Sequence, residues 1–541
     1  MADPRQGSYQ DLVQSYADEL DSLIEQGVHK PVFIYHLVII NLLPLIGLVI
    51  PRRGATRYVR PAIFALSLGI AVEMLSRRRA LLGGNGYMIG LMTAWWLLWS
   101  ATLFVFSDVE NDFRRIERGA TAAESIDDQV NEGRGASQSY SVDSKCSLAN
   151  SDTTVSSDSN GLAVADSGLE KFHWQSYPRK LTHRLELCAG LLLNLRGPEW
   201  NWRVSHLGPL PRSVHTQLHA GFVASKVRAH DDATYTTAKT RLRAALWTFL
   251  QGYLLLDCLK VLMMRDAYFR GFITNEISPP FPFSHFASFP LLIRLYHCFI
   301  SSVGVYVALQ YVTSLNPIFF LGLSMAFPNA ARKLTGAPLD ASWLYADSFG
   351  PFVSSVLDHG LAGCWSRWWH QLFRYGFTAT ASWILSLFPA KWSADPRVKR
   401  ITYVLIAFAV SGLLHASGSH TQFPNTHPLS GPFLFFFLQS LAILVENIFK
   451  TVIFPRLPLA DTPRWVRRTA NAVFVSCWLL YSGAFIADDF ARGGLWLMEP
   501  VPISPLRGLG LAYDQGWWCW DKPWFRYWSD GTYWGSGLRV I

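Results

Sequence analysis

Charge is scarce in this 541-residue chain: 16% of its residues are Asp, Glu, Lys or Arg, against about 25% in soluble domains. A chain of this length with so little charge is a poor candidate for a wholly water-exposed protein. Cysteine is also sparse. The seven (Cys146, Cys188, Cys258, Cys298, Cys364, Cys477 and Cys519) are scattered, and no two stand at metal-ligand spacing. A disulfide framework and a zinc site are both disfavoured, and buried reduced thiols are the expectation. The first 30 residues are polar and lean acidic, unlike a secretory signal peptide. Internal repeats are lacking, as are inverted pairs of interrupted apolar segments, which weighs against a transporter. The net charge of +9 does not indicate nucleic acid. The basic residues sit in short runs beside apolar blocks, as at Arg52, Arg53, Arg57 and Arg60 and again at Arg77, Arg78 and Arg79. Such juxtamembrane runs set topology or meet lipid head groups.

What is present is apolar sequence in long blocks. Half the residues are hydrophobic, with 22 Trp and 35 Phe. Residues 32–50 and 87–106 carry no Asp, Glu, Lys or Arg, and 433–454 carries one Glu and one Lys. Shorter or weaker blocks lie at 61–75, 244–264, 289–313, 315–327, 376–387, 401–415 and 472–487. A membrane span needs about 20 mostly apolar residues. The expectation is an all-α, polytopic membrane protein with about eight to ten membrane segments, some re-entrant within the protein.

Four regions follow from composition. Residues 1–106 hold a polar N-terminal tail and the first membrane segments. Residues 107–170 are rich in Ser, Asp, Gly and Ala, bury too little apolar surface to offset ordering, and are expected to be a disordered loop. Residues 171–243 mix Trp174, Trp200 and Trp202 with basic residues, as suits an interfacial, cytosol-facing segment. Residues 244–541 carry the membrane-embedded core and end in an aromatic tail from Gly516, expected at the membrane–water boundary or as a lid.

An ionisable group inside a membrane segment is costly and is a functional candidate by default. Most of those here have a simple structural account. Asp257 with Lys260, and Glu446 with Lys450, stand at helical pairing distance. Glu73 lies near Arg77–Arg79. His36 and His297 read as hydrogen-bonded core residues. Asp488 and Asp489 close an apolar block and are expected to reach solvent. His415 has no such partner in sequence. It ends the apolar run 401–415, which then breaks at Ala416-Ser417-Gly418-Ser419-His420, and the small residues around it leave room for an approaching group. Imidazole, with an unperturbed pKa of about 6.5, is a suitable base for removing an alcohol proton. A dry site keeps it neutral and limits hydrolysis of a thioester. A second cluster, Trp365-Ser366-Arg367-Trp368-Trp369-His370-Gln371-Leu372-Phe373-Arg374, reads either as an interfacial belt or as a pocket element whose arginines meet phosphates.

These two stretches resemble the wax synthase-like branch of the membrane-bound O-acyltransferases. Trp365, Arg367, Trp369, His370 and Gln371 match that family's Phe-Trp-Gly-Arg-x-Trp-His-Gln element. Ser411, Gly412 and His415 match its Ser-Gly-Leu-x-His element, 45 residues further on. Arg196-Gly197-Pro198-Glu199-Trp200-Asn201-Trp202 is similar to its Arg-Gly-Ile-Gly-Trp-x-Trp element. The likeness spans roughly residues 185–487. Ser366 stands where the family has Gly and Cys364 where it has Phe, which bears on substrate choice more than on reaction type; Pro198-Glu199 stand where it has Ile-Gly.

The resemblance implies a helical O-acyltransferase fold in which His415 deprotonates an acceptor hydroxyl that attacks an acyl-CoA thioester. It implies an orienting or oxyanion- and CoA-contacting role for His370, and substrate or CoA contacts for Trp365, Arg367, Trp369, Gln371, Arg374 and Ser411. It implies acyl-CoA as co-substrate, no metal and no bound cofactor. Length and the Ser/Asp-rich insertion are similar to fungal enzymes that acetylate terpenoids and meroterpenoids. The expected substrates are therefore acetyl-CoA and a lipophilic hydroxylated acceptor, with membrane lipids around the chain and a multi-pass location in the endoplasmic reticulum. A wax ester synthase using long-chain alcohols is the runner-up; a transporter is the rival of another class.

Overall fold

Backbone polar groups in an apolar block must bond within the block, so these blocks fold as helices. The computed structural model describes residues 8–119, 171–219, 235–273, 279–423, 426–456, 462–512 and 516–541. Among them seven helices are long and apolar enough to cross a membrane: Gly54–Arg77, Tyr87–Phe106, Ala238–Met264, Pro290–Ala326, Pro396–Thr421, Leu429–Arg456 and Arg464–Arg492. Two further apolar blocks form the shorter helices Ile34–Val49 and Arg374–Ser386. The two expected segments at 289–313 and 315–327 are one continuous helix. Pro317, which has no N–H to give, is absorbed there by a wide π turn over Pro317–Leu321 rather than ending the helix. The all-α polytopic architecture stands: seven spans and two shorter apolar helices among the described residues, with one expected pair of segments fused.

The helix Pro396–Thr421 is the hub. It packs on Tyr87–Ala101, Leu434–Ile448 and Arg374–Ser386. Its approach to Tyr87–Ala101 is unusually close because the seam is made of small residues. A Cβ on Gly90 would lie 2.0 Å from the Ser417 carbonyl oxygen, and one on Gly86 would lie 2.6 Å from that of Thr421. On the other side, a Cβ on Gly418 would meet the Tyr87 ring at 2.8 Å. Small residues four apart permit this approach between membrane helices. The same packing corrects the expected break after His415. The helix continues through Ala416–His420 to Thr421, since the small residues there meet a facing helix instead of leaving open space.

Among the described residues three two-stranded ladders accompany the helices: Lys30–Pro31 with Arg78–Arg79, Arg115–Arg118 with Phe172–Gln175, and Phe525–Ser529 with Ser536–Val540. The stretch expected to be a loop from 107 contains the short helix Val109–Asp112 and the strand Arg115–Arg118; 120–170 lie outside the described residues. The aromatic tail forms the last hairpin. Its Arg526 and Arg539 bond Asp21 of the helix Tyr9–Glu25, and Val540 N–H donates to the Val32 carbonyl at 2.7 Å.

The intramembrane charges divide between local and distant partners. Lys450 meets Glu446 at 2.9 Å and Arg78 meets Glu73 at 2.6 Å, as the spacing suggests. His36 bonds the Phe33 backbone and His297 lies 3.0 Å from Asp266. Asp257 and Lys260 do not pair with each other. Asp257 accepts from the Ser504 hydroxyl and the Leu506 N–H. Lys260 donates to the Trp496 and Leu497 carbonyls at 2.9 Å and lies 3.7 Å from Glu499. Asp489 does not reach solvent. It is 2% exposed, and accepts the His427 N–H at 2.6 Å.

Candidate active site

His415 lies two turns before the end of the hub helix, between two aromatic neighbours. Phe436, from the following helix, stacks on its imidazole with centroids 4.5 Å apart and planes at 16°. Tyr87, the first residue of its helix, places its hydroxyl 2.5 Å from His415 Nδ1. The ring is therefore covered on a face and tethered at one nitrogen, which leaves Nε2 as the atom free to do chemistry. Ser411 precedes it by one turn on the same helix.

The second cluster reaches the same place from another direction. Cys364–Trp368 is a π turn, closed by Trp369 N–H donating to the Cys364 carbonyl at 2.8 Å. The Gln371 amide, 7% exposed, donates to the carbonyls of Trp365 and Trp369 at 2.8 and 2.7 Å. Arg374 donates to Gln371 Oε1 at 2.8 Å and to the Ser366 carbonyl at 3.0 Å. Gln371 and Arg374 thus hold the turn rigid. Glu446 fixes its upstream end by accepting the N–H groups of Leu361 and Ala362 at 3.0 and 2.9 Å. Trp365 packs edge-on against Phe436, the ring that covers His415. Its indole N–H donates to Gln439 Oε1 at 3.3 Å. Trp369 packs against Trp365, Trp368 and His370.

His370 is caged by Phe349, Trp369 and Phe373, and its Nδ1 is buried without a hydrogen-bond partner. Burial pushes its pKa down to about 3, helped by the nearby imidazole of His415 and the Arg196 guanidinium. It is a neutral ring at physiological pH, with one N–H to donate.

The Arg196–Trp202 element buttresses this arrangement. Arg196 donates to the carbonyls of Asp347 and Ala346, both at 2.8 Å. Gly197 has a φ of +60°, and a Cβ there would lie 2.6 Å from the Trp202 ring, so glycine is required. Trp202 in turn packs on Tyr375, centroids 4.4 Å apart.

On the other side of the 364–374 turn lies a cavity of about 1370 Å³. Its walls include Arg203, His206, Arg212, Ser366, Arg367 and Arg374. Positive groups dominate, with Asp347 and Asp358 opposing them. Arg367 meets His359 Nε2 at 2.6 Å. Burial, reinforced by Arg196 and Arg374, pushes the His206 pKa down to about 4. The cavity is a polar, cationic compartment that shares the 364–374 turn with the aromatic cluster around His415. Among the described residues no group of three or more His, Cys, Asp or Glu could hold a metal ion.

Comparison with known proteins bears on the whole arrangement. Residues 345–438, which hold both clusters, match the family described as membrane bound O-acyl transferase. Over that segment the chain is similar to the membrane-bound O-acyltransferases. It is similar to an O-mevalon transferase, yanI, of Aspergillus niger: 26% identical over 370 residues, 64% of this chain and 62% of that protein. It is similar to the acetyltransferase fsoF of Humicola fuscoatra, 32% identical over 161 residues, 29% of this chain and 38% of the other. The acetyltransferase eriL of Hericium erinaceus is 31% identical over 154 residues, 27% of this chain and 36% of the other. The chain thus spans less than two thirds of the length of these relatives. No solved structure matches. With seven apolar spans among the described residues, the chain is an integral, multi-pass membrane protein.

The two stretches that residue spacing singled out lie near each other, close enough for the His415 imidazole to act on His370. Spacing missed Tyr87, 328 positions before His415, and Phe436. Tyr87 sits in an aromatic-rich apolar block where one more ring carries no signal; the four-residue repeat of Gly86 and Gly90 was the available hint of a close helix contact.

Proposed function

We propose that the chain transfers an acyl group, acetyl above all, from acyl-CoA to a hydroxyl of a lipophilic terpenoid or meroterpenoid in fungal secondary metabolism, at the endoplasmic reticulum membrane. The observation that carries this reading is the buried His415 imidazole, tethered at Nδ1 and stacked on Phe436, inside the segment that matches the family. His415 Nε2 takes the proton of the acceptor hydroxyl as its oxygen attacks the thioester carbonyl. The tetrahedral oxyanion accepts a hydrogen bond from His370, which is neutral and caged beside it. Collapse of the intermediate breaks the C–S bond, and the departing CoA sulfur receives the proton from His415. The cationic cavity suits the CoA phosphates, with Arg367, Arg212 and Arg203 in its walls. Trp365 and Trp369 line the apolar side, Gln371 and Arg374 brace the wall between the two compartments, and Ser411 flanks the base. No metal or bound cofactor has a part in these steps.

Microsomes containing the chain, given acetyl-CoA and hydroxylated terpenoids, are expected to form a product heavier by one acetyl group. His415→Ala is expected to abolish it at unchanged protein level. Full activity in that variant overturns the assignment. The relative matched over 64% of this chain is named an O-mevalon transferase, so a larger acyl group is the second reading. Higher turnover with a longer, branched acyl-CoA than with acetyl-CoA decides for it.

A further inference from the structure

We infer that Tyr87 is the positioning residue of the acyl-transfer site, fixing the orientation of the His415 imidazole through the bond between its hydroxyl and Nδ1. The inference rests on His415 being the base. The oxygen and nitrogen are 2.5 Å apart, at the short end for a hydrogen bond of this kind. An imidazole can act as a base at Nε2 only while Nδ1 carries the proton. In that tautomer Nδ1–H donates to the Tyr87 oxygen. The bond persists and strengthens as Nε2 gains a proton and the ring becomes positive.

The rest of the surroundings make Tyr87 a fixed point rather than a chance neighbour. It begins its helix directly after a turn in which Gly83, Gly84, Asn85 and Gly86 all have positive φ. That turn is bonded to the end of the His415 helix at three places. Thr421 Oγ1 donates to the Gly86 carbonyl at 3.0 Å, Gln422 Nε2 to that of Gly84 at 3.1 Å, and Phe423 N–H to that of Asn85 at 3.1 Å. The Tyr87 ring lies over Gly418, where any Cβ would collide with it, and packs edge-on against Phe490 at 5.3 Å. It is 4% exposed. The hydroxyl therefore cannot move without moving the helix end that carries His415. Phe436 blocks one ring face and Tyr87 holds one nitrogen, so the direction of Nε2 is set by parts of three helices.

Tyr87→Phe keeps the ring packing and removes only the oxygen. Assayed with acetyl-CoA and a hydroxylated terpenoid that the unsubstituted chain acetylates, it is expected to lower kcat roughly 10- to 100-fold, the usual cost of losing such an orienting partner. KM for both substrates is expected to stay within about twofold. A role in folding alone would instead reduce the amount of protein or its melting temperature in detergent and leave kcat per folded molecule unchanged. Replacing Tyr87 by 3-fluorotyrosine, which keeps the shape but weakens the oxygen as an acceptor, is expected to give an intermediate kcat. If Tyr87→Phe and the fluorinated protein both turn over like the unsubstituted chain while His415→Ala is inactive, the inference about Tyr87 is wrong and His415 remains the base. If His415→Ala is itself active, it is the reading of the site that fails.

Discussion

Substituting Gly90 by alanine puts one methyl group where two helices have no gap. The added carbon would lie 2.0 Å from the Ser417 carbonyl oxygen and 2.3 Å from Thr421 Oγ1. Carbon and carbonyl oxygen rest about 3.3–3.6 Å apart, so the helices must part by roughly 1.3 Å or more at this point. Overpacking of this kind costs about 1–3 kcal/mol, less than the margin that keeps most proteins folded. The Tyr87–His415 bond lies one turn away along the same seam. A displacement of about 1 Å at a reacting group can cost roughly 100-fold in rate. Gly90→Ala is therefore expected to insert into the membrane, to lose a few degrees of thermal stability in detergent, and to lose activity about 100-fold. Acyl transfer in microsomes, normalised to the amount of protein, measures it. Gly69→Ala is the control, because a Cβ there meets nothing within 4 Å; it should be neutral in both respects. Full activity in Gly90→Ala would mean that the close seam does not determine the geometry around His415.

Two further expectations concern the cationic compartment. Arg367→Ala is expected to raise KM for acyl-CoA about 5-fold, the equivalent of roughly 1 kcal/mol, with kcat little changed; the difference should shrink as salt is added. His206 and His370 are both held neutral in the folded chain, with pKa values of about 4 and about 3, while an unfolded histidine protonates near 6.5. The unfolded state therefore binds more protons below that value, and stability should fall as pH drops from about 6.5 towards 4. The melting temperature in detergent should follow this trend, and His206→Gln should flatten it; a melting temperature independent of pH over that window contradicts the burial assigned to both rings.

The membrane helices were legible because an apolar block of span length has few other uses in water. His415 was legible because a titratable group without a local partner stands out against such a block. The partners of Asp257 and Lys260 were not, since the i,i+3 rule offered a near answer while Ser504 and Glu499, some 240 positions away, supplied the real one. Asp489 misled for a similar reason: its place at the end of an apolar block suggested water, but the chain around His427 folds over it. Gln371 and Arg374 read in sequence as ligand contacts, and Arg374 does line the cationic cavity, but their structural bonds were not legible. Folding engages them on the carbonyls of Trp365, Ser366 and Trp369, and only coordinates reveal which polar groups the backbone has already taken. Tyr87 illustrates the complementary blindness: a ring that reads as packing has an oxygen whose importance depends on what crosses it.

The braced turn from Cys364 to Arg374 has one further consequence. One face, with Ser366, Arg367 and Arg374, belongs to the cationic cavity, and on the other Trp365 packs against Phe436, the ring stacked on His415. It is a partition wall between a wet room and a dry one. On the proposed acyl transfer, a donor with a charged handle and an apolar cargo would leave the first in one room while passing the second into the other. Variation in the wall's thickness or in the residues papering one side would then retune cargo length without disturbing how the handle is gripped, so that a lineage could change the group it transfers while keeping the carrier it draws on.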